Sequence, residues 1–176
     1  MKVVISAEEI RAGVIQMAAD IRRTFGSRPV TVLGVMTGSV VLLADLIRQI
    51  ELPLRVGVIQ ARSYRGGTER GELVLNGELL PDVKGRDVVL VDDILDTGHT
   101  LVAIRAHVER LEARSIRIAV LLRKRGRQQV SLAPDFVAFE IPDEFVVGYG
   151  LDYQDEYRNL PFIAALEPAE IAGGSS

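Results

Sequence analysis

Three carboxylates, Asp92, Asp93 and Asp96, stand close together, and Thr97-Gly98-His99-Thr100 follows them directly. Residues of these types do two kinds of chemistry. Paired carboxylates hold sugar hydroxyls or a divalent cation, and a single one can accept a proton in transit. A short Gly-Thr loop that opens a helix offers backbone N–H groups and the positive end of the helix dipole to a phosphate. Acids and an anion cradle side by side describe a site for a phosphorylated sugar.

The neighbouring residues say what positions that site. Val88 to Val91 is an unbroken apolar run of the kind that forms a strand buried on both faces. Leu101, Ile104, Val108 and Leu111 then repeat in steps of three and four, which is helical spacing. The acids therefore sit between a strand end and a helix start. The same alternation runs through the chain. Ser6-Ala7-Glu8-Glu9 is a capping-box sequence leading into apolar Ile10, Val14, Met17 and Ile21. Val30 to Val35 reads as a strand, followed by Thr37-Gly38-Ser39 and a helix carrying Leu42, Leu43, Leu46, Ile47 and Ile50. Leu54 to Ile59, Ile116 to Leu122, Phe136 to Ile141 and Phe145 to Val147 are further strands. Alternating strands and helices predict a parallel α/β sheet with ligands at the carboxyl ends of the strands. Residues 62–81, broken by Gly66, Gly67, Gly71 and Gly77 and closed by Pro81, are too polar for core and too long for an ordinary connection. They read as a lid or a long hairpin. The stretch from Glu167 ends in Gly-Gly-Ser-Ser and is expected to be a disordered tail.

Composition removes several classes of function. A chain of 176 residues, 48% hydrophobic, is long enough for one well-filled domain. Without cysteine it has neither a disulfide scaffold nor a thiolate metal site, and His99 and His107 alone make no histidine metal cluster. No apolar run approaches the ~18–20 residues needed to cross a bilayer. Residues 1–6 lack the long apolar stretch of a signal peptide, so a cytoplasmic enzyme is expected, away from membranes. A net charge of −3 gives no general attraction for nucleic acid. The basic residues Arg105, Arg110, Arg114, Arg117, Arg123, Arg125 and Arg127 read as a solvated surface with partners such as Glu109 and Glu112.

Residues 86–101, Arg-Asp-Val-Val-Leu-Val-Asp-Asp-Ile-Leu-Asp-Thr-Gly-His-Thr-Leu, resemble the ribose-phosphate loop of type I phosphoribosyltransferases. Residues 134–161, with Ile141-Pro-Asp-Glu-Phe-Val-Val-Gly-Tyr-Gly at their centre, resemble the C-terminal hood of the hypoxanthine-guanine branch of that family. The resemblance covers roughly residues 5 to 166. It implies a single domain over 1–166, with a parallel sheet flanked by helices, a flexible lid at about 62–81 and a small hood at about 123–166, before a tail at 167–176. It also implies Mg²⁺-dependent transfer of phosphoribosyl from phosphoribosyl diphosphate to hypoxanthine or guanine, by a homodimer or homotetramer.

Residue by residue, the resemblance makes Asp96 the acceptor of the purine proton. Asp92 and Asp93 bind the ribose hydroxyls directly or through Mg²⁺, and Thr97, Gly98, His99 and Thr100 wrap the 5′-phosphate. Lys124 donates to the purine O6, Phe145 stacks on the ring, and Val146 meets its edge. Asp152 holds a second Mg²⁺, and Thr37, Gly38 and Arg158 take the diphosphate. Ser63 and Tyr64 match the lid. Four positions depart from the family pattern: Arg62 stands for Ser beside the lid pair, Asp92 for Glu, Thr37 for Lys and His99 for Lys. The last three each shorten a reach or remove a cation. These departures keep a xanthine-preferring variant in view, and also a nucleotide- or RNA-binding regulator on the same fold with little catalysis. A phosphoaspartyl enzyme fits less well, because Asp93-Ile-Leu-Asp96-Thr97 has one residue too many between its acids.

Overall fold

The computed structural model describes residues 1–63 and 73–172. In chain order its elements are β1 (Lys2–Ile5), α1 (Ala7–Phe25), β2 (Val30–Met36), α2 (Val40–Ile47), β3 (Leu54–Ser63), β4 (Leu73–Asn76) and β5 (Asp87–Leu95). Then follow α3 (His99–Arg110), β6 (Ser115–Lys124), β7 (Phe136–Ile141), β8 (Val146–Val147), β9 (Ile163–Ala165) and α4 (Pro168–Ala172). The main sheet runs β4-β3-β2-β5-β6-β7. All its pairings are parallel except that of β4, which lies antiparallel on β3.

Local sequence explains the elements that build the site. At the start of α1, Ser6 Oγ accepts from the Glu9 N–H at 3.2 Å while the Glu9 carboxylate accepts from the Ser6 N–H at 2.8 Å. That reciprocal cap satisfies two orphan donors. In β5, Val89 and Val91 pack into the core shared with α1 and α2, and Val88 and Leu90 into the core beneath α3. Burial on both faces is why the run is continuously apolar. Asp87 closes the opposite, amino end of β5. It is bound by Arg114 and Ser115, and the Arg114 guanidinium holds its carboxyl below the usual range.

The strand order places the cleft. From β2 the chain moves outward through β3 in one direction, and from β5 through β6 and β7 in the other. Between β2 and β5 the winding reverses, and ligands bind at such a switch point, outside the carboxyl ends of the strands. The register shows how the gap opens. Pairing of β2 with β5 stops at Gly34↔Val91, whereas β5 stays on β6 as far as Leu95↔Arg123. From Asp92 onward β5 is therefore paired on one side only.

Several expectations need correction. The small second sheet runs β1-β9-β8, antiparallel, so the hood recruits the amino-terminal strand, and β7 belongs to the main sheet. Strands of two to four residues carry no readable periodicity, so the bounds 123–166 that the resemblance implied for the hood had no pattern to correct them. The expected tail from Glu167 is ordered in its first part. Pro168–Ala172 is a short helix, the Glu167 N–H donates to Glu170, Glu170 pairs with the Met1 amino group at 2.7 Å, and Tyr153 Oη donates to the Ile171 carbonyl. Of the stretch 62–81, Leu73–Asn76 is a strand antiparallel to β3; Tyr64 and the rest of 64–72 lie outside the described residues. Among the described residues no helix is long and apolar enough to cross a membrane.

Candidate active site

A cavity of about 260 Å³ occupies the gap between β2 and β5. Val35, Met36 and Gly38 line one side, Asp92 to Thr97 the other, and Gly98, Thr100 and Leu101 close it at the start of α3. The Met36–Thr37 peptide bond is cis, and Thr37 itself is exposed beside the cavity rather than lining it. Gly98 is the N-cap of α3, so the first free N–H groups of that helix border the cavity, as an anion requires. His99 is the exception among the loop residues. Its ring turns away, with Nε2 3.1 Å from Gln129 Oε1, and it does not line the cavity.

Asp92 and Asp93 stand at the cavity floor. Asp92 is only 8% exposed, and its carboxylate accepts from the Asp93 N–H at 3.0 Å. Burial pushes its pKa well up, and the neighbouring Asp93 charge adds to the shift. Burial also pushes Asp93 up, offset in part by hydrogen bonds from Asp92 and the Ile94 N–H. A pair that is crowded, dehydrated and acidic is suited to a cation. Among the described residues no group of three or more His, Cys, Asp or Glu is placed to form a complete metal cage. A cation held here takes its other ligands from bound substrate, as Mg²⁺ commonly does.

The buried pair has a consequence for stability. Between the raised folded pKa of Asp92 and its ordinary value of 3.8, the folded state holds more protons than the unfolded chain. Acidification through that window therefore relieves the cost of the buried charge, and rising pH restores it. Asp92→Asn is expected to raise the melting temperature of the free protein at pH 7, because the neutral amide carries no buried charge. The melting-temperature gain should shrink as pH falls, and a gain independent of pH would contradict this account.

A second cavity, of about 210 Å³, is lined by Lys124, Phe145, Val146, Leu151 and Asp152 together with Asp93, Ile94 and Asp96. The two cavities thus meet at Asp93, Ile94 and Asp96. Phe145 is 43% exposed, so it is a wall of this cavity and not core; its ring meets Tyr153 edge to face at 5.4 Å. Lys124 Nζ is largely buried, 3.7 Å from Asp96 Oδ2 and 3.5 Å from Asp143 Oδ1. Arg127 Nε donates to Asp96 Oδ1 at 3.0 Å and lies 3.6 Å from Asp143. Two acids and two bases form a closed ring of alternating charge. Arg158 reaches Asp152 at 2.9 Å and donates to the Gly150 carbonyl at 2.8 Å, which ties the hood to the site.

Arg127, Asp143 and Gln129 were not legible as site residues. Arg127 sits in a basic stretch in which several members pair away from the cavities: Arg105 with Glu109, Arg114 with Asp87, Arg117 with Asp135, Arg123 and Arg125 with Glu140. Its link to Asp96 spans 31 positions, and no spacing rule signals a contact of that kind. The same pairing dissolves the apparent basic patch. Ser63 ends β3, and Tyr64 lies outside the described residues.

Comparison with known proteins shows the family. The phosphoribosyl transferase domain family matches residues 6–154. A hypoxanthine-guanine phosphoribosyltransferase of Staphylococcus epidermidis is 40% identical over 170 residues, which cover 96% of this chain and 94% of the relative. One from Streptococcus pneumoniae is 37% identical, covering 94% and 93%. A crystal structure of a hypoxanthine-guanine phosphoribosyltransferase from Bacillus anthracis superposes with a TM-score of 0.90 at 38% identity, covering 95% of this chain and 99% of that one. A point mutant of the hypoxanthine phosphoribosyltransferase of Trypanosoma cruzi, in a ternary complex with its substrates, gives 0.90 at 32%, covering 98% and 97%.

Proposed function

The chain belongs to the phosphoribosyl transferase domain family, and from that membership we propose how its residues divide the work of one reaction. The protein is a phosphoribosyltransferase of purine salvage, transferring phosphoribosyl from phosphoribosyl diphosphate to hypoxanthine or guanine and releasing IMP or GMP with diphosphate. The observation that carries the division of labour is the pair of cavities that meet at Asp93 and Asp96. An anion cradle with two acids suits the ribose phosphate. A slot with an exposed aromatic face and a buried ammonium suits a 6-oxopurine. Their junction suits the reacting C1 of the sugar.

In this reading the C1–O bond to diphosphate breaks as N9 of the base attacks C1. Positive charge grows on the ribose ring and negative charge on the leaving group. Thr97, Gly98 and Thr100 hold the 5′-phosphate, Asp92 and Asp93 the ribose hydroxyls, and Arg158 with the Gly38 backbone the diphosphate. Asp96 accepts the proton from N7, which frees the N9 lone pair to attack. Mg²⁺, when bound by Asp92 and Asp93 or by Asp152, neutralises charge on the diphosphate. Asp152 is paired with Arg158 in the free protein, so both are released together to substrate.

Lys124 sets the choice of base. An ammonium donates to O6 of hypoxanthine or guanine but meets another donor in adenine. Lys124→Ala is expected to lower kcat/KM for hypoxanthine by about 10–100-fold while leaving the poor adenine rate unchanged, since a lost charged hydrogen bond costs about 1.5–3 kcal/mol. An unaltered hypoxanthine-to-adenine ratio would refute the role. The parent experiment is a spectrophotometric assay with phosphoribosyl diphosphate and Mg²⁺ against hypoxanthine, guanine, xanthine and adenine. Turnover of the first two is the expected result. Silence with all four, from protein that still binds a purine monophosphate, would favour a regulator on this fold.

A further inference from the structure

Asp96 lies in the bend between β5 and α3, beyond the last β5–β6 pair, and among the described residues no backbone N–H donates to its carboxylate. Only Arg127 and Lys124 hold it, one on each oxygen. These two cations are not equivalent. Lys124 lines the base cavity, and Arg127 does not; it approaches Oδ1 from the rim, with its own side chain 43% exposed. A base that takes the Lys124 ammonium at O6 leaves Arg127 as the one group still fixing the acid. We propose that Arg127 is a positioning residue for the transfer reaction: it anchors Asp96 Oδ1 so that Oδ2 faces the imidazole ring of the bound purine. The proposal rests on the reading of Asp96 as the proton acceptor.

Arg127 is itself built in. Asp143 lies 3.6 Å from its Nε, the Arg125 N–H donates to the Ile141 carbonyl at 3.0 Å, and the Gln129 N–H donates to the Thr97 carbonyl at 3.0 Å. The loop after β6 is thereby tied to the end of β7 before Arg127 and to the phosphate loop after it. A free aspartate samples several staggered rotamers, and only one of them serves proton transfer. Proton transfer needs heavy atoms within about 3 Å, and small misplacements reach about 10²-fold in rate.

The test compares guanine with 8-azaguanine, whose extra ring nitrogen makes the imidazole-side N–H more acidic, so that it arrives largely ionised at mildly alkaline pH. Such a base needs little help from Asp96. Arg127→Ala is expected to lower kcat for guanine by about 10-fold, with the KM for phosphoribosyl diphosphate within about 2-fold, and to cost less than about 2-fold with 8-azaguanine. Arg127→Lys, which keeps charge without the planar fork, should fall between. Equal deficits with both bases, or no deficit with guanine, would overturn the proposal. Asp96→Asn run in parallel separates the two claims. If that variant loses guanine turnover while Arg127→Ala keeps it, only the positioning role fails; if Asp96→Asn itself turns over guanine normally, the base assignment falls and the proposal with it. Unchanged melting temperatures verify that neither substitution acts through folding.

Discussion

Asp96→Asn is expected to lower kcat by about 10²–10³-fold while leaving purine binding nearly intact, the range typical of removing a general base. The variant keeps the volume and the shape of the side chain, so the junction of the two cavities is preserved. Its amide oxygen remains the natural partner of Arg127 Nε, which donates to Asp96 at 3.0 Å. That orientation turns the amide nitrogen toward the base cavity. A donor there repels a purine protonated at N7 and accepts one protonated at N9, whose N7 is then an acceptor. The substituted site thus selects the tautomer that binds but cannot attack through N9. Steady-state kinetics beside calorimetric titration of the base tests this directly. Turnover equal to that of the parent would remove Asp96 from proton transfer, and a loss confined to KM would recast it as a binding group.

How much of this was legible depended on distance along the chain. The strand–acid–loop–helix block from Asp87 to Arg110 is local, and each part carries its own signal: a doubly buried apolar run, turn-forming residues, then helical spacing. The Ser6 capping box and the bounds of β7 were readable for the same reason. What failed was non-local. Lys2–Ile5 pairs with Ile163–Ala165 from the other end of the chain, and four residues hold too little pattern to announce a partner. Arg127 has the same residue type as its solvated neighbours, and only the tertiary fold brings it to Asp96. His99 shows the converse limit. Its place in the motif marks its backbone for the phosphate, while its ring, on the first residue of α3, projects toward Gln129. A motif fixes the path of the backbone more firmly than the aim of each side chain on it.

The second large effect is expected at Gly150, where hood and site touch backbone to backbone. Its φ is +100°, a region L side chains rarely adopt, and a Cβ added there would stand 2.1 Å from the Gly38 carbonyl oxygen. Gly38 has no room to retreat, because a Cβ on it would stand 1.8 Å from the Asp93 carboxylate. The Gly150 turn of the hood, the Gly38 loop and the Asp93 carboxylate are stacked in three layers without side chains between the first two. Arg158 locks the outer layer by donating to the Gly150 carbonyl while the Gly150 N–H donates back to the Arg158 carbonyl at 3.0 Å. Gly150→Ala should therefore cost about 2–4 kcal/mol from backbone strain and overpacking together. Gly26→Ala is the control, since Gly26 also has a positive φ, +63°, but nothing lies within 4 Å of its added Cβ. Its cost should be about 1 kcal/mol, from conformation alone. Thermal unfolding of the two variants isolates the contact, and the KM for phosphoribosyl diphosphate should rise only in Gly150→Ala. If both lose stability equally and neither alters that KM, the hood does not set the position of the diphosphate loop.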